Sequence, residues 1–430
     1  MWVLLPLRKN YFSTKQFRWY NSTLNNILSS LLQRVFYFIK NVIMKRQVIC
    51  YSLMVLLTLS NVVLQAQTSS VNVTTTAVPF LRISPDARAG GMGDVGIATS
   101  PDASASFWNI AKTPFAIATN AIGVTYTPWL KDLGLNDVYL ASLSGYHKTE
   151  NGNAISASIR YFSLGNIQFT DFAGNPLNTY SPKEFSFDLG YSIKLSENLA
   201  LGIAGRYINS NLASGTVNGV TYKAGNAIAG DVTLYHAAKE NGAGLAWGIA
   251  LTNLGSKISY TNDAQNKDYI PANLGLGITY TSVMNESNRI TFGLDVNKLL
   301  VPAPPVASGN TSTDSANLYN YRNNSVISSW FKSFGTGAFQ TVTFSLGAEY
   351  VYNDQFFIRA GYFYEDKSQG DRQFFSAGVG FKYDVANINF SYLVPSGNGI
   401  TRNPLSNTMR FSILFDLEDG SGSSTATAPK

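Results

Sequence analysis

The sequence predicts an all-β protein, a 14-stranded antiparallel transmembrane β-barrel with a plug segment before its first strand. Three observations predict it: runs that alternate between apolar and polar residues, connections that alternate between short and long, and an unusual composition. The 430 residues are 45% hydrophobic and 13% aromatic but only 13% charged, whereas soluble domains average about 25% charged residues. Because no apolar stretch after the amino-terminal region has the length of a membrane helix, this composition indicates β-structure that meets lipid on one face.

The alternation begins near residue 120. In EFSFDLGYSIKL, residues 184–195, one face carries Phe, Phe, Leu, Tyr, Ile and Leu, and the other carries Ser, Asp, Gly, Ser and Lys. A two-residue period is that of a strand with one apolar and one polar side. Fourteen such segments have about the length that a tilted strand needs to cross a bilayer. They are residues 120–127, 136–147, 153–163, 184–195, 198–209, 227–237, 243–253, 273–283, 288–298, 341–352, 355–364, 372–383, 386–394 and 406–417.

The connections between these segments differ systematically in length. Those after even-numbered segments are tight, such as HKTENGN and VMNES, and those after odd-numbered segments are usually long. The longest has about forty residues, from Leu299 to Gln340. Short turns at one end and long loops at the other are typical of outer-membrane barrels, whose long loops are extracellular. The even strand count then predicts that both termini are periplasmic.

The first 66 residues predict an export leader. They contain eight basic residues and no acidic one. From Met44, MKRQVICYSLMVLLTLSNVVLQA has the basic start, apolar middle and small-residue end of a secretory signal peptide. We therefore expect a signal peptide at residues 44–66, translation from Met44, and a wrongly assigned extension at residues 1–43. A genuine basic helix before the signal, with translation from Met1, is the alternative.

Removing the leader changes what charge and cysteine content imply. The remaining chain has 24 basic and 26 acidic residues, since eight of the 32 basic residues lie in the leader. The basic pI therefore does not indicate nucleic-acid binding. The single cysteine, Cys50, lies within the signal peptide, so no disulfide or thiolate metal site is expected in the mature chain.

The rest of the chain divides by pattern. Residues 67–118 lack the alternation and are expected to fold into the lumen as a plug, and residues 119–417 are expected to form the barrel. Residues 418–430, at the end of the chain, are poor in apolar residues and are expected to be disordered. Charged residues within the strands are expected to face the lumen and pair there, because charge facing lipid is costly. They include Arg160, Asp188, Arg206, Asp231, Glu349 and Arg359.

The stretch GGMGDVG, residues 90–96, has the glycine spacing of a dinucleotide-binding turn. Such a turn must follow a buried strand and open a helix, so that backbone N–H groups face a pyrophosphate. The preceding residues, RISPDARA, contain a proline and three charged residues. The context therefore disfavours a phosphate site.

The same stretch carries a family resemblance. The segment TAVPFLRISPDARAGGMGDVGIATSPDASASFWNIAK, residues 76–112, resembles the start of the PorV subfamily of FadL-like outer-membrane barrels, and IPANLGLGITY, DVNKLLVPAPP and FFIRAGYFYE are also similar. The wider family forms its lumenal plug with this signature. By resemblance the plug signature residues are Pro85, Asp86, Arg88, Gly90, Gly91, Met92, Gly93 and Asn109. Ile110 departs from the family, which usually has proline there, and this weakens any inference about the turn.

The resemblance implies a non-enzymatic role in the type IX secretion system of Gram-negative Bacteroidetes. It implies a protein that binds the carboxy-terminal signal domain of cargo, caps the lateral opening of a Sov/SprA-type translocon barrel, and carries cargo to a PorU-type sortase complex. Lipopolysaccharide and other outer-membrane lipids are implied as its surroundings. It implies no cofactor or metal.

The longest loop contains the candidate partner-binding residues. Within it, SVISSWFKSFGTGAF places apolar residues at helix-like spacing, and a large exposed apolar cluster marks an interaction site. The alternative is that these rings pack back over the barrel mouth as a lid. The candidates are Ile327, Trp330, Phe331, Phe334 and Phe339.

Two other functions remain open. A FadL-like channel for hydrophobic small molecules requires an apolar lumen and a lateral gap in the wall. An outer-membrane enzyme such as a lipid A deacylase requires a nucleophile and a base, and only two histidines, His147 and His236, exist. Neither lies in a recognisable catalytic motif.

Overall fold

A computed structural model describes residues 72–170, 173–217, 220–239, 242–262, 267–335, 337–394 and 407–417. The described residues belong to the compact unit that begins at Val71. The expected extension, the signal peptide with Met44 and Cys50, and the tail at residues 418–430 lie outside the described residues.

The described residues form eighteen strands. In chain order they are β1 (Asn120–Pro128), β2 (Val138–Lys148), β3 (Ala154–Leu164), β4 (Ile167–Thr170), β5 (Pro176–Tyr180), β6 (Lys183–Lys194), β7 (Leu199–Asn211), β8 (Gly215–Val217), β9 (Val220–Tyr222), β10 (Gly225–His236), β11 (Gly244–Gly255), β12 (Asn273–Asn285), β13 (Asn288–Leu299), β14 (Val342–Tyr352), β15 (Phe356–Glu365), β16 (Gln373–Tyr383), β17 (Ala386–Val394) and β18 (Met409–Leu417). Fourteen of them close into one antiparallel barrel, and β4–β5 and β8–β9 form separate two-stranded hairpins.

Each barrel strand pairs with the barrel strands that come before and after it in the chain. The two hairpins lie in connections and take no part in this pairing. The barrel closes where β1 pairs with β18, with Asn120 opposite Leu417 and Tyr126 opposite Phe411. All fourteen predicted segments coincide with barrel strands. The predicted fold class, a 14-stranded antiparallel barrel, is confirmed.

Apolar side chains of the barrel face outward and polar side chains face the lumen, which is the reverse of a soluble protein. Along β6 the apolar residues Phe187, Leu189 and Tyr191 are exposed, whereas Asp188 and Ser192 are buried. An apolar outer surface and a polar lumen are typical of a barrel whose outer surface contacts lipid. Closure also leaves no unpaired edge among the fourteen described barrel strands, and hydrocarbon could not solvate such an edge.

The connections place long loops at one end of the barrel and short turns at the other. The long-loop end carries both hairpins and the loop between β13 and β14, which contains helices at Thr311–Asn323 and Val326–Lys332. Two short helices precede β1, at Ala87–Gly91 and Ala105–Trp108. The four helices are numbered in chain order: α1 is Ala87–Gly91, α2 is Ala105–Trp108, α3 is Thr311–Asn323 and α4 is Val326–Lys332. Short 3₁₀ segments occur at Pro79–Arg82, Ile110–Phe115, Lys131–Leu133, Ala338–Thr341 and Lys367–Gln369. Within the described ranges, the helices are all too short or too polar to span a bilayer.

The segment before β1 runs through the lumen from the long-loop end to the short-turn end. At its start Asn72 Nδ2 donates to Pro304 O at 2.7 Å, and Ala77 N donates to Tyr269 O at 2.9 Å. At its finish Thr119 O accepts from Lys148 N at 2.8 Å. The barrel ends, Asn120 and Leu417, thus lie together at the short-turn end, but Asn72 lies at the long-loop end. The expectation that both termini are periplasmic stays a prediction, because the chain termini lie outside the described residues.

Candidate functional site

Asp86 organises the plug around one helix terminus. It precedes α1, and its carboxylate accepts from Ala89 N at 2.8 Å, as a helix N-cap does. The other oxygen accepts from Trp108 Nε1 at 2.6 Å. One buried side chain therefore starts α1 and ties it to α2. Pro85, immediately before the cap, is also buried.

The glycines of the plug contact glycines of the barrel wall. Gly93 has φ of +69°, and a Cβ there would lie 2.6 Å from Tyr362 N. A Cβ on Gly361 of β15 would lie 2.0 Å from Gly93 N, and a Cβ on Gly347 of β14 would lie 2.4 Å from Met92 O. Backbone therefore packs on backbone. The segment before α1 is a 3₁₀ turn, which lacks the strand that a dinucleotide site needs.

Gly93→Ala is expected to destabilise the plug by about 2 kcal/mol or more, because it combines an unfavourable φ with overpacking against fixed backbone. Urea unfolding of the mature barrel in detergent measures the effect. Gly134→Ala is the matched control, since Gly134 has φ of +76° but an added Cβ there would have no described atom within 4 Å. Equal losses in the two variants would contradict the proposed wall contact.

A buried ionic cluster fastens the plug to the wall. Glu349 of β14 accepts from Arg88 of α1 at 2.8 and 3.1 Å and from Arg359 of β15 at 2.7 Å. Arg88 also contacts Asp102 at 2.9 Å, and Arg359 donates to Asn389 at 2.8 Å. In a low-dielectric interior such charges are stable only when all are paired.

A second cluster lies within the wall. Arg206 of β7 contacts Asp188 of β6, Asp231 of β10 and Asn253 of β11, with its Nη2 2.9 Å from Asp231 Oδ2. The six strand charges expected in the lumen are all buried. Five of them pair as expected. Arg160 differs, because its Nη1 donates to the carbonyl of Leu81 in the plug at 3.2 Å.

Two further contacts hold the plug, one through Asp295, which the sequence alone did not single out, and one through Asn109 of the plug signature. Asp295 of β13 accepts from Gly96 N at 2.7 Å and Ile97 N at 2.9 Å. Asn109 Oδ1 accepts from Ala111 N at 3.0 Å, so the turn forms with Ile110 in place of the usual proline. The inward phase of the strand alternation is the signal that could have identified Asp295.

The longest loop is anchored on the neighbouring loop between β11 and β12. Tyr269 OH donates to Tyr321 O at 2.9 Å and accepts from Ser329 Oγ at 2.7 Å. Lys257 Nζ donates to Asn324 O at 2.6 Å and lies 4.3 Å from the Tyr269 ring centroid. Burial raises the pKa of Tyr269 and, with the Lys267 ammonium, lowers the pKa of Lys257. These contacts fix the β13–β14 loop, with its helices α3 and α4, to the loop between β11 and β12.

Four of the five candidate apolar residues on this loop face outward. The exposed fractions are 62% for Ile327, 74% for Phe331, 56% for Phe334 and 91% for Phe339, whereas Trp330 is half-buried. Of these, Phe334 also lies over β13, with its ring centroid 5.4 Å from Lys298 Nζ. We call the four exposed residues the loop patch.

The histidines serve local contacts. His147 Nδ1 lies 2.7 Å from Asn120 Oδ1, and the His236 ring stacks on Trp247 with centroids 5.4 Å apart. Among the described residues no group of three or more His, Cys, Asp or Glu side chains is arranged to hold a metal ion.

Similar folds occur among solved structures. The toluene transporter TbuX of Ralstonia pickettii is 13% identical, with 77% of this chain and 97% of that chain covered and a TM-score of 0.45. The toluene transporter TodX of Pseudomonas putida is 11% identical, with 78% and 99% covered and a TM-score of 0.45. A FadL homologue of Pseudomonas aeruginosa is 12% identical, with 78% and 98% covered and a TM-score of 0.42.

No protein of curated function matches the chain. The family model for the type IX secretion system protein PorV matches residues 65–306. This match includes the plug signature and the strands from β1 to β13. The chain therefore belongs to the PorV family, and it is an outer-membrane β-barrel component of the type IX secretion system.

Proposed function

We propose that this barrel is a carrier without catalytic activity that binds the carboxy-terminal signal domain of type IX cargo through its long-loop end. In this proposal it also caps the lateral opening of the Sov/SprA-type translocon and passes cargo to the PorU-containing attachment complex. The long loops face the cell exterior, and the ends of the barrel at Asn120 and Leu417 face the periplasm. Family membership supports the setting, and the surface of the longest loop supports the binding role.

The loop patch is the observation that carries this proposal. Aromatic residues are enriched at interface centres, where their burial contributes much of the binding energy. Three phenylalanines and an isoleucine stand exposed on a loop whose base is held by Tyr269 and Lys257. A rigid apolar surface loses little conformational entropy when a partner covers it. A folded protein partner with an apolar groove fits this surface.

The quadruple replacement of Ile327, Phe331, Phe334 and Phe339 by serine is expected to abolish surface display of cargo. Each buried aromatic anchor contributes on the order of 2 kcal/mol or more to an interface, so affinity falls by several orders of magnitude. Whole-cell labelling of surface cargo and co-purification of the translocon barrel from outer membrane measure the effect. The variant is expected to insert normally, because these side chains are exposed.

The matched control changes four exposed apolar residues on other long loops to serine: Leu133, Leu135, Ile167 and Phe169. Normal cargo display is expected for this control. Normal display by the loop-patch variant, or equal loss in both variants, would count against the patch as the specific contact.

The channel alternative is disfavoured by the lumen. A pathway for hydrophobic molecules needs an apolar interior, whereas Arg206, Arg359, Asp231 and Glu349 are buried there and linked to one another or to Arg88 of the plug. Fatty-acid uptake by cells that express the loop-patch variant distinguishes the two functions. A carrier predicts lost cargo display without a change in uptake.

A further inference from the structure

A polar chamber lies in the lumen between the plug and the barrel wall. Its volume is about 110 Å³, and its lining includes plug residues 81–85 and side chains of β3, β11, β12, β13, β14 and β15. A cavity of about 150 Å³ accommodates a benzene-sized molecule. The chamber therefore has room for an ion of the size of acetate or phosphate.

Arginines give the lining of this chamber a positive charge. Guanidinium groups come from the plug (Arg82), from the wall (Arg160) and from the connection between β15 and β16 (Arg372). Carboxamides come from Asn253, Asn273 and Asn297. Among the described lining residues the one carboxylate is Asp94, which lies 3.4 Å from Arg410 Nη1. Such a lining matches a ligand that mainly accepts hydrogen bonds.

The arginines here are incompletely paired. Arg372 takes both oxygens of Glu365, each at 2.7 Å, and Arg82 shares Oε1 at 3.3 Å, so two guanidinium groups share one carboxylate. Arg160 has no carboxylate partner among the residues that the structure describes. Its Nη1 bonds to Leu81 O, its guanidinium lies 5.2 Å from the Phe107 ring centroid, and its Nε has no partner in the described ranges.

The nearest acidic groups do not remove this excess. Asp188 and Asp231 both contact Arg206. The described lining of the chamber itself contains three arginines and one carboxylate, Asp94.

We propose that this chamber, which Arg82 of the plug and Arg372 of the β15–β16 connection also line, binds a small carboxylate at Arg160 of the wall. Guanidinium forks bind carboxylates through paired, charge-assisted hydrogen bonds. The ligand supplies the negative charge that Arg160 lacks. Its source is either a free small acid or the carboxy-terminal group of a peptide, since both present the same chemistry.

Acetate is the probe. Saturation-transfer NMR of the acetate methyl protons measures its binding to the mature barrel in detergent at constant ionic strength. We expect saturable binding that weakens at least tenfold in Arg160→Gln. Asn297→Asp is the second variant, because an aspartate can still accept the 2.9 Å hydrogen bond from Asn273 Nδ2 while adding a negative charge. It is also expected to weaken binding at least tenfold.

Arg289→Gln is the charge-matched control, since Arg289 pairs with exposed Asp354 at the short-turn end, away from the chamber. It is expected to bind acetate like the parent, and gel mobility of unboiled samples confirms that each variant is folded. Saturable binding that is equal in the parent, Arg160→Gln and Asn297→Asp overturns the site, as does the absence of saturable binding to the folded parent.

Competition identifies the source of the carboxylate. A tripeptide with a free carboxy terminus is compared with the same tripeptide as its amide. Displacement of acetate by the free acid alone assigns the site to chain-terminal carboxylates. Displacement by neither assigns it to free small acids, and displacement by both contradicts carboxylate recognition.

Discussion

Glu349→Gln is expected to lower the free energy of unfolding of the mature barrel by about 3–5 kcal/mol, the cost of leaving buried charge unpaired. The carboxylate holds Arg88 of the plug and Arg359 of the wall at 2.8 and 2.7 Å, and all three side chains are largely buried. Glutamine preserves the shape and removes the charge. The loss therefore reports ion pairing rather than packing.

Urea unfolding in detergent measures the total effect, and protease susceptibility of the plug shows where the structure opens. Arg289→Ala is the control, because it removes an exposed ion pair with Asp354 at the short-turn end, and such pairs contribute about 1 kcal/mol or less. Similar losses in Glu349→Gln and Arg289→Ala would show that the cluster does not fasten the plug.

Phe80→Ala is expected to release the start of the plug from the long-loop end, at a cost of about 3–5 kcal/mol for truncating a buried phenylalanine. Phe80 is fully buried and stacks on Phe162 with ring centroids 6.4 Å apart. It belongs to an apolar cluster with Trp129, Leu140 and other residues of the barrel mouth. Val78, two residues earlier, has φ of 48°, an unfavourable value for a β-branched residue. Only tight packing holds it there.

Protease cleavage near residue 80 in intact cells measures this release, given extracellular long loops. Ile117→Ala is the control, because Ile117 lies in the same pre-barrel segment but is 99% exposed. Cleavage is expected in Phe80→Ala and not in Ile117→Ala. Equal protection of both would mean that Phe80 is not required to hold the segment.

The strands and several wall ion pairs follow from sequence-local information. Glu349 and Arg359 face each other because a short turn after Tyr352 sets the register of β14 and β15. Asp188 and Arg206 face each other for the same reason across the turn between β6 and β7. The two-residue period assigns all four to the inward face. The tight turn and the alternation of side chains thus determine each of these two ion pairs from the sequence alone.

The contacts between the plug and the wall could not be predicted from turn length and alternation. Arg88 meets Glu349 across 261 positions of sequence, and Gly93 rests on Gly361. Neither α1 nor the 3₁₀ turns have enough residues to show a periodic pattern. The family resemblance identified the plug signature, but which wall residue each member contacts depends on where the segment enters the closed barrel.

The sequence by itself determined the closed barrel, its lipid-facing surface and the two kinds of connection, because alternation and turn length act over a few residues. The tertiary structure alone decided that Asn72 lies at the long-loop end, that Phe331 and Phe339 point outward, and that Arg160 faces a polar chamber. The physical reason is closure. Once fourteen strands enclose a lumen, the packing of the plug within it depends on side chains from all around the wall, which no local pattern brings together.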